Sequence, residues 1–169
     1  MAIKRFSIFV CVLTMGLIAM AFGGGRMPAT ISLASPGPLG GARATDDVPP
    51  YHADAPPAKD LPDTLDPMKF PDAITQNAYA MAAKVRPVLY QQPCYCHCDK
   101  ELGHGSLLDC FTGMHAAVCN VCKWEGIYAY NETKKKKTPA QIREGILKGE
   151  WKKVDLTKYA KYSPETDKY

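Results

Sequence analysis

Six of the seven cysteines in this 169-residue chain lie between Cys94 and Cys122, and this crowding constrains the fold more than any other feature. Three of them occupy alternate positions from Cys94 to Cys98, and a later pair, Cys119 and Cys122, has two intervening residues. A folded part of about 90 residues has room for only a modest hydrophobic core. A covalent or metal cross-link would therefore add substantially to its stability. The sequence predicts thiol or metal chemistry in this region.

The first residues have the pattern of an export signal. Lys4 and Arg5 precede an apolar run at residues 6–22, and small side chains within residues 19–21 offer a cleavage point. We therefore expect residues 1–21 to be a signal peptide and the mature protein to be extracytoplasmic, either periplasmic or secreted. An uncleaved membrane anchor is the alternative, because the run approaches the length of about 17 to 25 residues that spans a bilayer.

Composition divides the rest of the chain into three parts. Residues 22–67 are rich in Gly, Pro and Ala and contain few large apolar side chains. Burial cannot offset the entropy of ordering such a segment, so we predict a disordered linker. An ordered arm wrapped around the domain is the alternative. We expect a cysteine-rich helical domain at residues 68–159 and a flexible tail at residues 160–169.

The predicted fold class is mainly α, a small helical domain around a cysteine-rich metal-binding loop. Residues 72–85 place apolar side chains at helical spacing, which predicts a first helix. Residues 88–90 are expected to be a short extended run. Residues 115–134 predict a second long helix, weakened by Gly126.

A third helix is indicated by its capping residues. Thr138 is a favourable cap, Pro139 suits the first helical position, and Gln141 stands three residues after the cap. The helix should begin there and end near Gly149.

Two groups of side chains could converge on a metal ion. In a continuous helix, His115, Cys119 and Cys122 share one face, because their spacings are four and three. In the loop, alternate thiols of an extended strand would stand about 6.6 Å apart, whereas two sulfurs on one zinc ion must be closer than about 4 Å. The loop must therefore be bent. The candidate metal ligands are Cys94, Cys96, Cys98, Cys110, His115, Cys119 and Cys122, with His97 and His104 nearby in sequence as further possible donors.

Thiolates and imidazoles suit copper(I) and zinc(II), and they suit magnesium and calcium poorly. Six mature thiols exceed what one tetrahedral zinc ion needs, and extracytoplasmic copper traffic requires a soft site that can exchange its ion. We therefore expect a copper carrier or chaperone-like protein, with zinc as the alternative metal.

Two other interpretations of the cysteines remain open. Exported cysteines usually oxidise, so the protein could instead be a disulfide-stabilised structural or interaction subunit of a membrane-associated complex. The pair Cys119 and Cys122 also has the spacing of a thiol oxidoreductase. A net charge of +4 does not favour nucleic acid as a partner, and no catalytic motif indicates an enzyme.

Residues 93–98, read as Pro-Cys-Tyr-Cys-His-Cys, resemble the motif of an exported bacterial family of uncharacterised proteins named for the sequence PCYCGC. The resemblance extends over residues 70–155 and includes the pair Cys119 and Cys122. It implies an exported protein with a cysteine motif region, and it implies no reaction. His97 stands where the glycine of the motif would fall, which adds a possible ligand and removes backbone freedom. Many members look like lipoproteins, whereas this chain has no convincing lipid-attachment cysteine.

Overall fold

The structure is a computed structural model that describes residues 47–161. Every regular element in that range is helical, so the mainly α prediction is confirmed. The predicted signal peptide, the first part of the predicted linker and residues 162–169 lie outside the described residues. No helix among residues 47–161 combines the length and the apolar character that a bilayer crossing requires. The α-helices are α1 (Ala73–Lys84), α2 (Arg86–Tyr90), α3 (Asp99–Leu102), α4 (Asp109–Thr112), α5 (His115–Val118), α6 (Asn120–Lys134) and α7 (Pro139–Leu147), and short 3-10 turns occupy Ala58–Asp60, Pro67–Lys69, Glu150–Lys153 and Leu156–Ala160.

The core lies between α1 and α6, which pack along each other at the centre of the domain. α1 begins one residue after the predicted start, where the Asp72 side chain accepts a hydrogen bond from the Thr75 N–H at 2.8 Å. Each large apolar side chain buried here contributes about 1.5–3 kcal/mol. The largest fully buried side chains include Tyr79, Met81, Phe111, Ile127 and Tyr130.

α7 forms where its capping residues predicted it. The Thr138 hydroxyl accepts a hydrogen bond from the Gln141 N–H at 3.3 Å, and the Gln141 side chain accepts one from the Thr138 N–H at 2.9 Å. Pro139 occupies the first position, where its missing N–H costs nothing. The helix ends at Leu147, and Gly149 follows with a φ of 72°.

Residues 88–90, expected to be extended, are helical and belong to α2. The chain leaves α1 at Val85, whose φ of −127° and ψ of 29° are not helical. Pro87 then stands in the first turn of the new helix, where an N–H would have no helical acceptor. The proline therefore separates two helices instead of starting an extended segment.

The second predicted helix, 115–134, is two helices in the structure. Cys119 has extended backbone, with φ −111° and ψ 111°, between the end of α5 and the start of α6. No proline or glycine marks this break in the sequence. Gly126, which was expected to weaken the helix, lies inside α6 against the Phe111 ring. The prediction of one continuous helix was wrong, and the break changes which side chains can meet.

Residues 47–67 contact the helices, although they belong to the segment predicted as a disordered linker. The His52 ring stacks on Tyr90 with ring centroids 3.8 Å apart and 6° between the ring planes. The Leu65 N–H donates to the Phe111 carbonyl at 3.0 Å. We call residues 47–67 the arm. Ring stacking and backbone hydrogen bonds provide interactions that a composition poor in large aliphatic residues does not reveal.

Candidate metal centre

The loop that carries the first three cysteines is tightly bent. The His97 N–H donates to the Cys94 carbonyl at 3.2 Å, which closes a turn. The bend brings the Cys94 and Cys96 sulfurs to 3.3 Å from each other. This separation is far below the about 6.6 Å between alternate positions of an extended strand. The loop therefore has the bent form that a shared metal ion requires.

Cys110 joins this loop from the first turn of α4. Its sulfur lies 3.4 Å from that of Cys98 and 3.3 Å from Nδ1 of His104. Asp109 holds the preceding turn, because its carboxylate accepts from the Gly105 N–H at 2.7 Å. The short segment between the loop and α4 thus folds back, so that a cysteine twelve positions after Cys98 reaches it.

α5 and α6 supply two further side chains. The Cys122 sulfur lies 3.6 Å from the sulfurs of both Cys94 and Cys96. Nε2 of His115 lies 3.4 Å from the Cys96 sulfur. Cys96 is therefore in contact with a loop neighbour, a side chain of α5 and a side chain of α6.

The ligand atoms form two overlapping sets, and within each set all of them lie within 4.8 Å of one another. Sulfur separations of 3.3 to 3.6 Å are close to the about 3.8 Å between two thiolates on a tetrahedral ion with bonds of about 2.3 Å. We call these six side chains the cysteine cluster, and they could hold a metal ion. One set is Cys94, Cys96, Cys98 and Cys110, and the other is Cys96, Cys110, His115 and Cys122.

All six cysteines among residues 47–161 are free. The shortest sulfur separation in the cluster, 3.3 Å, is much longer than the about 2.05 Å of a disulfide bond. The structure therefore does not contain the disulfide-linked arrangement that was the alternative to metal binding.

Cys119 lies outside both sets of ligand atoms. The expected face of His115, Cys119 and Cys122 assumed one continuous helix, and the break at Cys119 removes that regular spacing. The other two residues of this face still meet, because each reaches Cys96 from its own helix. The continuous helical face that was the reason for placing Cys119 beside the other ligands is therefore absent.

The two histidines near the loop have different surroundings. His104 contacts the cluster through Cys110, and its ring meets that of His115 edge to face with centroids 5.4 Å apart. His97 belongs to neither set, and its Nε2 lies 3.9 Å from the Asp47 carboxylate instead. His104 is therefore a possible further donor, whereas His97 is directed toward the arm.

Mutual hydrogen bonding separates the pKa values of the thiols. Hydrogen bonds with Cys110, Cys122 and Cys94 hold the pKa of Cys96 well below its usual value. Hydrogen bonds with Cys110 and Cys96, together with burial, raise the pKa of Cys122. Cys96 is also partly exposed, whereas Cys122 is fully buried. The partly exposed cysteine of this pair is thus the one whose thiol is inclined to be a thiolate, the form that binds soft metals.

Access to the cluster is uneven. Pro49 and Pro50 of the arm line a small space together with Cys94 and Cys98, and Pro49 is itself buried. The arm therefore covers these two sulfurs. Cys96 and the ring of His115 remain partly exposed at the rim of the cluster.

Sequence reasoning missed the buried carboxyl group of Glu125. This side chain is 0% exposed, and its two oxygens lie 3.0 and 3.3 Å from the Tyr95 N–H, which donates to them. Burial raises the pKa of Glu125 to about 8. The available signal was its position three residues after Cys122, since that spacing places both on one face of α6. Glu125 positions the loop and does not belong to either ligand set.

Comparison with known sequences shows the family to which the chain belongs. The sequence profile of the family described as "Protein of unknown function with PCYCGC motif" matches residues 51–153, more than half of the chain. The protein belongs to the PCYCGC family. No curated protein and no solved structure matches the chain.

The backbone at His97 explains why the PCYCGC motif carries a glycine at this position. His97 has a φ of 57°, in the left-handed region that glycine enters without steric cost. Histidine is one of the side chains that tolerate this region better than most. The bent loop of the PCYCGC motif is therefore retained here at the cost of some local strain.

Proposed function

We propose that this protein binds a soft metal ion outside the cytoplasm and that the ion is copper(I), which the protein carries and releases as a metallochaperone does. The observation that carries this proposal is the convergence of five cysteine sulfurs and one imidazole into two sets with all ligand atoms within 4.8 Å. These sulfurs come from a bent loop, α4 and α6, so their proximity reflects the fold and not only the crowding of cysteines in the sequence.

The chemistry of the donors favours a soft ion. The donor atoms are four sulfurs in one set and three sulfurs with one imidazole nitrogen in the other, and neither set includes a carboxylate. Such donors select copper(I) and zinc(II) over magnesium, calcium or manganese. Copper(I) is preferred over zinc because it accepts two or three thiolates and exchanges among neighbouring donors, whereas a structural zinc site is closed by four ligands.

The exposure of the cluster favours a carrier. Cys96 and His115 are partly exposed and lie 3.4 Å apart, while Cys94, Cys98, Cys110 and Cys122 are buried. An incoming ion would meet the Cys96 thiolate first and then gain ligands from the interior. The reverse order would release it to a partner with competing thiolates.

The extracytoplasmic location rests on residues 1–21, whose basic start and apolar run are typical of an export signal. Cell fractionation with an antibody to the domain tests it, with loss of export expected when residues 6–22 are deleted. Accumulation of the full-length protein in the cytoplasm of unmodified cells would overturn this part of the proposal.

The metal assignment is tested by anaerobic titration of the reduced protein with copper(I) against a chromophoric chelator, with zinc(II) in a parallel series. The protein should take copper(I) from the chelator. Cys96→Ser should weaken binding at least about 100-fold, because removal of a direct ligand should cost no less than the loss of a supporting group. Cys119→Ser is the matched control, since Cys119 is an equally partly exposed cysteine outside both sets, and it should bind as the unmodified protein does.

Three results would contradict the proposal in different ways. No binding of either metal, with no free thiols in protein from the exported fraction, would return the cysteines to a structural disulfide role. Retention of zinc but not copper(I) would exclude the copper carrier. An equal loss of affinity in Cys119→Ser and Cys96→Ser would show that the ligands are not those of the cluster.

A further inference from the structure

The two ligand sets share two of their members. Cys96 and Cys110 belong to both sets, and each set has two members of its own. The sulfurs of the two shared cysteines lie within 4.8 Å of each other. Such sharing is the arrangement of a binuclear site, in which two thiolates each bond to both ions.

We infer that the cysteine cluster holds two metal ions bridged by the thiolates of Cys96 and Cys110, an inference that rests on the proposed metal-binding function. One ion would be completed by Cys94 and Cys98, and the other by His115 and Cys122. The ions are soft monovalent or divalent cations, with copper(I) as the first choice.

The number of donors supports two ions over one. A single tetrahedral ion uses four ligands, and either set alone would satisfy it. The two remaining members of the cluster would then stay within 4.8 Å of the shared sulfurs without an ion to bind. A second ion uses every member of the cluster, and bridging lets six side chains offer up to four donors to each ion.

The negative charge of the thiolates also favours two ions over one. Each of the five sulfurs lies within 3.6 Å of at least one other, and four of the five cysteines are buried. Several thiolates in such a place are costly unless cations compensate them. Two ions shared through Cys96 and Cys110 would bring positive charge to both ends of the cluster, so that the buried thiols at each end could ionise and bind.

The order of the ligands along the chain separates the two ion positions. The ligands particular to the first ion come from the loop and lie under the arm, where Pro49 and Pro50 line the space beside Cys94 and Cys98. The ligands particular to the second ion come from α5 and α6. The first position is therefore the more enclosed, and the second, at partly exposed His115, is the more exchangeable.

The test counts ions and looks for their contact. The full chain, reduced and anaerobic, is saturated with copper(I) in the presence of a competing chelator, and bound copper per protein is measured by native mass spectrometry. X-ray absorption of the same sample reports whether each copper has a second copper as a near neighbour. We expect two ions per chain and a clear copper–copper signal.

The possible outcomes separate this inference from the proposed function. No bound copper overturns the proposed function and the inference with it. One ion per chain leaves the proposed function intact and overturns the inference. Any other number, or two ions without a copper–copper signal, overturns the bridged arrangement alone.

Ligand variants assign the two positions. Cys98→Ser should lose the enclosed ion, and Cys122→Ser should lose the exchangeable one, so each should retain one ion and no copper–copper signal. Cys119→Ser should retain two ions. Far-UV circular dichroism checks the fold of each variant, and the count on the unmodified chain decides the inference even if a variant does not fold.

Discussion

The carboxyl group of Glu125 holds the backbone of Tyr95, with its two oxygens 3.0 and 3.3 Å from the Tyr95 N–H. Tyr95 lies between Cys94 and Cys96, and Glu125 lies one helical turn after Cys122. One buried hydrogen bond therefore fixes two loop sulfurs relative to the sulfur that α6 contributes. The carboxyl group acts on the cluster through the backbone and not as a ligand.

Removal of this group should loosen the loop. Glu125→Ala leaves a cavity and a Tyr95 N–H without its acceptor, so the free energy of unfolding should fall by about 2–3 kcal/mol. Glu125→Gln keeps an acceptor oxygen and most of the volume, and it should lose less than about 1 kcal/mol. Urea unfolding of the reduced protein at about pH 4, followed by circular dichroism, measures both. At that pH the carboxyl group is mostly protonated in both states, so its raised pKa does not add an ionisation cost to the comparison. Equal stability of Glu125→Ala and the unmodified protein would show that the hydrogen bond does not hold the loop.

A methyl group at Gly126 should destabilise the protein even though alanine favours helices. An added Cβ would lie 2.6 Å from Cζ of Phe111, a fully buried ring that Tyr79 meets edge to face at 5.2 Å. Overpacking of about 1–3 kcal/mol should exceed a helix-propensity gain of about 1 kcal/mol. Gly113→Ala is the control, because nothing lies within 4 Å of its added Cβ.

The expected net loss for Gly126→Ala, the overpacking cost less the propensity gain, is up to about 2 kcal/mol, against less than about 0.5 kcal/mol for Gly113→Ala. Thermal unfolding of the two variants in parallel compares them. A Gly126→Ala variant more stable than the unmodified protein would mean that the Phe111 ring moves aside without cost.

His97→Gly should restore the glycine of the family motif without loss of metal. The left-handed backbone at His97 costs an L-residue about 1–2 kcal/mol, whereas glycine loses about 0.5–1 kcal/mol more entropy on folding. The variant should therefore be as stable as the unmodified protein or up to about 1 kcal/mol more stable. Its copper(I) affinity should not change, since His97 belongs to neither ligand set. A marked fall in affinity would identify His97 as a ligand.

The opposite kind of change, from glycine to another residue at a second left-handed position, supplies the control for the stability measurement. Gly103 has a φ of 67° and open space around its missing Cβ, so strain alone decides the effect of a side chain there. Gly103→Ala should lose about 1 kcal/mol in the same unfolding assay.

Glu132 should contribute stability that depends on pH. Its carboxylate lies 2.7 Å from the Lys135 ammonium and 2.6 Å from that of Lys137. Burial acts to raise the pKa of Glu132, but the two lysines outweigh it and hold the pKa below the ordinary 4.5. A lowered pKa means that the folded state favours the ionised form. Its stabilising effect is therefore complete above pH 4.5 and is lost as the pH falls through the folded-state pKa.

Glu132→Gln should lower the free energy of unfolding by about 1 kcal/mol at pH 7, because both lysines are largely exposed and screened. The difference from the unmodified protein should shrink below pH 4.5. Urea unfolding of the metal-free, reduced proteins between pH 3 and 7 measures it without interference from metal release. Glu144→Gln, at an exposed carboxylate on α7, controls for the change in net charge. A difference that stays constant with pH would exclude the ion pairs as its source.

Local signals explain which helices the sequence predicts correctly. α1 and α7 are capped by Asp72 and Thr138, whose side-chain partners lie three residues away. Such contacts depend only on nearby residues, so the sequence displays them directly. Pro87 is also a local signal, but it stands in the first turn of α2, where an extended run was expected.

The cluster depends on contacts that sequence spacing does not encode. Tyr95 and Glu125 are 30 positions apart, and Cys98 and Cys110 meet only because the segment between them folds back. The extended backbone at Cys119 carries no glycine or proline signal. The chemistry of the candidate ligands was therefore predictable from their residue types, whereas the exclusion of Cys119 and the role of Glu125 needed the fold.

The cluster draws its side chains from four separate stretches of a small protein, the loop and the helices α4, α5 and α6. Any cation seated there ties these stretches together, so occupancy and global unfolding become linked equilibria. The metal-free protein would unfold more often than the metal-bound protein, and proteases would therefore cleave it sooner. Turnover of the protein would then follow metal supply without a dedicated sensor.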